Sequence, residues 1–360
     1  MALPFRLAMI AVMLVASMAA CANDSIAAAD TAIPPPRHAK PVIAVLALNE
    51  GTETTDFLVP YAVLRRAEVA TVEAVAPRRG HVTLMPALTV DVQHDLAAFD
   101  TRYPDGADYV IVPAMHVDDD PAILAWIRAQ ARKGAVIVAI CSGTLVVGKA
   151  GLLDGRRFTG HWYDRTTLRA QHPGATYVPD RRYLADRGVI STTGVTASVP
   201  VSVAIVEAIA GPARAASLAQ ALGLRTWGTR HDSAAFRLDA ARLFTLATNG
   251  AAFWRHETIA IPVHDGIDDV QLALVADAWS RTYRSQAVAE GNHVVRMLSG
   301  LALVPTPPSS TDDAYRVVLS SATPPARQLH ETLADIGRRY GAATRRLVML
   351  MLEYGEPDAL

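Results

Sequence analysis

Residues 134–155 read GAVIVAICSGTLVVGKAGLLDG, and how this stretch divides decides the fold. Residues 135–140 are wholly apolar and largely β-branched, the composition of a short strand buried on both faces. Cys141-Ser142-Gly143 interrupts the run, and residues 144–153 then read as a helix whose small and apolar side chains face a sheet. Cys141 therefore falls where the strand ends and the helix begins, where unpaired N–H groups and the helix dipole favour a thiolate. This is the geometry of a nucleophile elbow, although the G-x-S-x-G signature is absent.

Upstream, residues 41–48 (PVIAVLAL) are a buried strand and residues 49–55 a polar turn containing Gly51. Residues 56–67 read as a helix despite Pro60, with Leu58, Ala62 and Val63 near helical spacing. Residues 69–75 are another strand, and 82–85 with 88–92 make a hairpin-like pair. Residues 108–112 (DYVIV) are a third core strand, followed by the turn Pro113-Ala114-Met115. Asp118 to Asp120 before Pro121 mark a helix start, and the helix 122–132 leads into the elbow strand. The β-α-β alternation predicts an α/β, doubly wound, mostly parallel sheet, which binds ligands beyond the carboxyl ends of its strands. Asp56, Met115 and Cys141 all follow such ends and are expected to converge.

Downstream, residues 157–164 (RFTGHWYD) deliver His161 and Trp162 from a strand end, and residues 165–171 are a helix. Residues 182–186 and 189–192 form a turn-linked strand pair, and helices follow at 199–210 and 212–223. After Trp254 the pattern repeats. Residues 259–283 match 42–67 as strand, Gly-containing turn and helix ending in Arg, with Gln271 where the first copy has Asp56. Residues 299–304 match 86–90, 314–319 match 107–112, and the helix 327–339 matches 122–132. The second copy closes on a helical or strand-like segment, 344–353, without an elbow or a Cys. The expected organisation is a domain over 41–211, a helical connector over 212–258 and a truncated α/β half-repeat over 259–360.

A net charge of −1 on 360 residues gives no electrostatic footprint for nucleic acid. No phosphate-binding glycine loop is visible, His231-Asp232 and Arg255-His256-Glu257 lack convincing metal spacing, and neither a cofactor nor a metal is expected. Arg6 precedes an apolar run, 7–20, with the length of a signal-peptide core. The leader is placed at 1–22, followed by an Ala- and Pro-rich tether over 23–40. Met18-Ala19-Ala20-Cys21 reads as a lipobox in which Cys21 is lipidated; the alternative is ordinary cleavage after Ala22 or near Ala27 to Ala29. The expectation is an exported protein, periplasmic or lipid-anchored to the envelope, touching membrane only through that anchor. Cys141 is then left as a single thiol without a disulfide partner. In an oxidising compartment that flags reactivity, against the plain alternative of a buried inert cysteine.

These residues resemble the ThiJ/PfpI superfamily, class I glutamine-amidotransferase-like. The resemblance rests on GTETTDFLVP (51–60), DYVIVP (108–113), GAVIVAICSG (134–143), AGLLDGRRFTGHW (150–162) and VISTTGVTAS (189–198), and spans about 41–211. AGLLDGRRFTGHW points to the branch of isonitrile hydratases and sensor domains of AraC-type regulators. The resemblance implies a flavodoxin-like three-layer sandwich, homodimers and a small-molecule substrate or ligand. It implies Cys141 as nucleophile, Asp56 as the acid after the first strand, and Ser142 as donor of an N–H and a hydroxyl. It also implies a role for His161, either as a general base or as a polar wall. Ala114, Met115, Gly143 and Trp162 line the pocket or its oxyanion turn. Three departures stand out. Ala114-Met115 replaces a common Gly-Gly, Ser142 stands where peptidase-like members have His, and Pro200 stands where an acid is common.

Two functions compete. In the first, Cys141 attacks a small electrophilic carbon, an isonitrile or an activated carbonyl, and Asp56 shuttles the proton. In the second, the domain is a non-catalytic ligand or redox sensor related to AraC-type regulators but without a DNA-binding half. A third reading is an envelope scaffold with a vestigial site.

Overall fold

The computed structural model describes residues 32–355, so the leader, Cys21 and the first half of the tether lie outside the described residues. The end of the tether is seated on the domain. The Pro34 carbonyl accepts the Tyr109 hydroxyl at 2.6 Å, and the Arg37 and His38 amides donate to the Asp108 carboxylate at 2.7 and 3.0 Å.

The first half contains, in chain order, β1 (Val42–Leu46), β2 (Thr52–Glu53), α1 (Thr54–Ala67), β3 (Thr71–Ala76), β4 (Gly80–Met85), β5 (Thr89–Val92) and β6 (His94–Asp95). It continues with α2 (Leu96–Arg102), β7 (Tyr109–Val112), α3 (Pro121–Arg132), β8 (Val136–Ala139), α4 (Gly143–Lys149), β9 (Arg157–Phe158), α5 (Arg165–Gln171) and β10 (Thr176–Tyr177). The hairpin β11 (Tyr183–Asp186) and β12 (Val189–Thr192), then α6 (Ser198–Ala210) and α7 (Pro212–Leu222), complete it. A seven-stranded sheet runs β11-β12-β8-β7-β1-β3-β6, parallel throughout except for β11.

Alternation along its strands builds the three layers. Ile43, Val45, Tyr109, Ile111 and Val138 pack with α1 and α6 on one face. Ala44, Leu46, Val110, Val112 and Ile137 pack with α2, α3 and α4 on the other. The strands are apolar on both faces because both faces are covered. All the parallel strands end at one edge, and the turns after β1, β7 and β8 carry Asp56, Ala114 and Cys141 to it.

Helix α1 starts on Glu53, whose carboxylate accepts the Asp56 amide at 2.5 Å, a cap worth about 1 kcal/mol. Pro60 sits inside α1 and has no N–H to give the Asp56 carbonyl. The helix after the elbow is shorter than the sequence suggests. It ends at Lys149 rather than 153, because Gly151 turns the chain at φ +75° and sends Leu153 into the core.

Helix α8 (Ala240–Ala251) leads to the second half: β13 (Glu257–Pro262), α9 (Asp269–Ser280), β14 (Ser285–Glu290), β15 (Val295–Arg296), β16 (Ala302–Leu303), β17 (Tyr315–Arg316), α10 (Pro325–Tyr340) and α11 (Ala342–Met351). Residues 344–353, open between helix and strand in the sequence, are mostly the helix α11. The small parallel sheet β14-β13-β17 has the same order around its first strand as β3-β1-β7. Helix α9 packs on α1, and hairpin β15–β16 joins β5 and β4 in a mixed sheet, with Val90 opposite Leu303. One continuous core runs from the α1 face of the large sheet into the second half.

Candidate functional site

Cys141 sits at φ 55°, in the left-handed region, a conformation costing a non-glycine residue of order 1 kcal/mol that surrounding structure must hold. Two contacts hold it. The Cys141 amide donates to the Thr192 hydroxyl at 3.1 Å, tying the elbow to β12. Gly143 packs so tightly under β7 that a Cβ there would lie 2.1 Å from the Val112 carbonyl oxygen. The strand–turn–helix reading thus places the thiol at the sheet edge, where it is 4% exposed.

Asp56 is fully buried beside it. Its Oδ2 accepts the Ala114 amide at 3.2 Å, and Oδ1 has no hydrogen-bond partner. Burial pushes this carboxyl up to about 7, against the Ala114 N–H and the Arg281 charge, which pull it down. A carboxyl so placed can gain or lose its proton near neutral pH. The Ala114 amide, expected at an oxyanion turn, is engaged by Asp56 in this arrangement. Met115 is half-buried and bridges to Thr52.

The thiol differs from its sequence expectation. Burial, then the charges of Asp56, Glu53 and Asp164, push Cys141 well above an ordinary thiol, with Arg281 opposing them. The helix expected to favour a thiolate is only seven residues long and is outweighed by burial and then by carboxylates the sequence does not bring together.

The Ser142 hydroxyl stays within a long hydrogen bond of the sulfur, with Sγ to Oγ at 3.9 Å, and donates a short hydrogen bond to Asp164. Asp164 is buried, which raises its carboxyl against the Ser142 hydroxyl. His161 lies 3.8 Å from Asp164, but burial first, and Arg281 next, lower its imidazole to about 3. It is a neutral ring whose nitrogens make no hydrogen bond of good geometry, and the Met351 backbone carbonyl beside it only partly offsets the shift. Gly194 lets it in: a Cβ there would lie 2.8 Å from His161 Cδ2 and 2.6 Å from Glu353 Oε2.

Glu353, after α11, closes this side. Its carboxyl accepts the Trp162 amide at 3.1 Å and the Gly194 amide, with Arg165 at 3.6 Å and His231 at 3.9 Å. Burial raises it to about 8, against the Gly194 N–H and Arg165. Glu353 also lines a cavity of about 860 Å³ with Arg182, Thr193, Thr196, His231 and Phe236. Cys141 is not on that wall. Asp164, Arg281 and Glu353 went unnoticed in the sequence, and His231 was set aside for want of metal spacing. Among the described residues no cluster of His, Cys, Asp and Glu could hold a metal ion.

Residues 42–208 match the model of the DJ-1/PfpI family. This segment is a DJ-1/PfpI domain. Within the chain, 63 residues are 41% identical to isonitrile hydratase of Pseudomonas putida, covering 18% of this chain and 27% of that protein. A stretch of 53 residues is 40% identical to the HTH-type transcriptional regulator CdhR of Pseudomonas aeruginosa, covering 15% and 16%. The chain thus spans about a quarter or less of these two relatives' lengths. A solved ThiJ/PfpI family protein from Pseudomonas syringae aligns over 50% of this chain and 74% of its own, at 24% identity and a TM-score of 0.46. The DJ-1/PfpI domain ends before the second half begins, so Arg281 and Glu353 reach its elbow from outside the matched segment.

Proposed function

We propose that the DJ-1/PfpI domain is a cysteine-dependent hydratase or hydrolase for a small electrophile, with Cys141 as nucleophile and Asp56 as proton carrier. The observation that carries this reading is the pairing at the elbow. A strained Cys141 faces the charge of a buried carboxyl that exchanges its proton near pH 7.

For an isonitrile the steps balance without a preformed thiolate. The Sγ–carbon bond forms as the thiol proton passes to Asp56 and the carboxyl's own proton passes to the isonitrile carbon, giving a thioimidate. Water adds to that carbon, the carbon–sulfur bond breaks, the sulfur regains a proton, and an N-substituted formamide leaves. The two protons of the water end on the nitrogen and the sulfur, relayed by Asp56; His161, held at about 3, is too weak a base to take one and serves as a polar wall. A thiol 4% exposed limits substrates to small molecules. The apolar run at 7–20 supports a site of action outside the cytoplasm.

The raised Cys141 favours one competing reading, a ligand sensor without turnover. Purified protein incubated with simple alkyl isonitriles, followed by NMR of the formyl group, separates the two. Formamide production lost in Cys141→Ser and reduced in Asp56→Asn supports the hydratase. No turnover of isonitriles or activated carbonyls by folded protein leaves the sensor.

A further inference from the structure

The N-cap of α1, Glu53, and the N-cap of α9, Asp268, occupy matching places in the two halves, as do Arg66 and Arg281 at the far ends of the same helices. The two helices pack on each other, and the four residues pair reciprocally. Arg66 donates to Asp268 through Nη1 and Nη2 at 2.8 and 2.5 Å. Arg281 donates to Glu53 through Nη2 at 2.6 Å. Hairpins β4–β5 and β15–β16 likewise meet edge to edge, antiparallel, through β5 and β16. Reciprocal contacts of this kind are the mark of an isologous, two-fold interface. Here both sides belong to one chain.

The two ends are not equivalent. Both arginines reach a second carboxylate, but of different origin. Arg66 Nη2 donates to Asp269, next to the cap, at 3.3 Å. At the end near the elbow, Arg281 Nε donates to Asp277 of its own helix at 2.6 Å, and Asp277 accepts the Thr55 hydroxyl of α1 at 3.0 Å. Ala62 stands at the matching place in α1, and Gln271 stands where α1 has Asp56. The chemistry was kept on one side only, and the arginine that serves it comes from the other. Glu53 holds both Arg281 and the Asp56 amide, and the Arg281 charge reaches Asp56 and Cys141, holding both below where burial alone would place them.

We infer that the C-terminal half is an internal partner subunit, and that it lends Arg281 as the positioning residue for Glu53, Asp56 and Cys141. The inference rests on the reading of Cys141 and Asp56 as the working pair. It extends that reading by making the site incomplete without the second half.

The test compares the two ends of one helix pair in the full chain. Arg281→Gln, Arg281→Lys and Arg66→Gln are prepared. Arg281→Gln/Asp277→Asn is added because Arg281→Gln alone strands two buried carboxylates. Iodoacetamide alkylation of Cys141 is followed against pH, and the Asp56 carboxyl is titrated by carbon NMR in aspartate-labelled protein. Removing Arg281 alone is expected to raise both midpoints by about one pH unit, and the double variant to raise the Asp56 midpoint by less, because Asp277 itself pushes Asp56 up. Arg281→Lys is expected to restore most of the difference, and Arg66→Gln to leave both midpoints as in the parent. Equal shifts at both ends, or none at either, overturn the inference. A midpoint that follows Arg281 in a protein that turns over no electrophile keeps the inference and removes the hydratase. Turnover indifferent to Arg281 does the converse.

Discussion

Replacing Asp56 by Asn should change how stability responds to pH, with a size set by the site. Asp56 is held at about 7, against an ordinary 3.8. The folded value is raised, so the contribution is complete below the unfolded value and is lost as pH climbs through the folded one. Between those limits the folded state binds one more proton than the unfolded state, and stability falls by about 1.4 kcal/mol per pH unit. Over the whole window that is about 4 kcal/mol, and from about pH 5 to about pH 7 it is about 2 kcal/mol. Asparagine copies the protonated acid. Its carbonyl accepts the Ala114 amide, and its NH2 occupies the place of Oδ1, which has no partner to lose. The variant should therefore match the parent near pH 3, where Asp56 is protonated in both states, exceed its stability by about 2 kcal/mol near pH 5 and by about 4 kcal/mol near pH 8. Urea unfolding of both proteins across this range gives the difference, in which the titration of more distant groups cancels. Glu53 titrates with Asp56, so the midpoint belongs to the pair. Parallel stability curves for the two proteins would refute the buried, proton-carrying carboxyl.

Gly143→Ala should be severe for so small a change, because its methyl meets the Val112 carbonyl, which is sheet backbone. A loss of about 3 kcal/mol or more is expected in thermal unfolding, and an unchanged midpoint would mean the elbow is looser than described. Trp279→Ala removes a side chain 1% exposed that packs on Tyr315 and Tyr340. It should cost about 3–5 kcal/mol and, because α9 shares its core with α1, loosen both halves together. Hydrogen exchange confined to the second half would contradict that coupling.

The first half was legible because its strands announce themselves. Residues 109–112 and 135–140 have no charged interruption, and the Cys-Ser-Gly break admits little besides a tight turn. The positions of Asp56 and Cys141 at one sheet edge followed from that alone. The electrostatics did not. A helix start beside a thiol argues for a thiolate, but Glu53 and Asp164 oppose it, and nothing in their spacing shows that they converge. Arg281 was the hardest to see. The repeat was visible as strand, turn and helix ending in Arg, yet which face of α9 meets α1 is decided by packing between segments more than 200 residues apart. The matching positions of Glu53, Arg66, Asp268 and Arg281 were the available signal. Glu353 lies beyond the last regular helix and had no pattern to mark it.

Glu353 also fixes an order of events. It joins Trp162 and Gly194 across sequence separations of 191 and 159 residues, and a chain is made from its N-terminus. The elbow strand and the turn carrying Cys141 emerge from the ribosome long before Arg281 and longer still before Glu353. For most of its synthesis the polypeptide carries its thiol without the groups that bury and bias it. Contacts of such long range are among the last to form in folding. A chain broken off between α10 and Glu353 has the nucleophile but lacks the carboxyl that joins Trp162 to Gly194, so completing this side of the site doubles as a check that translation ran past α11.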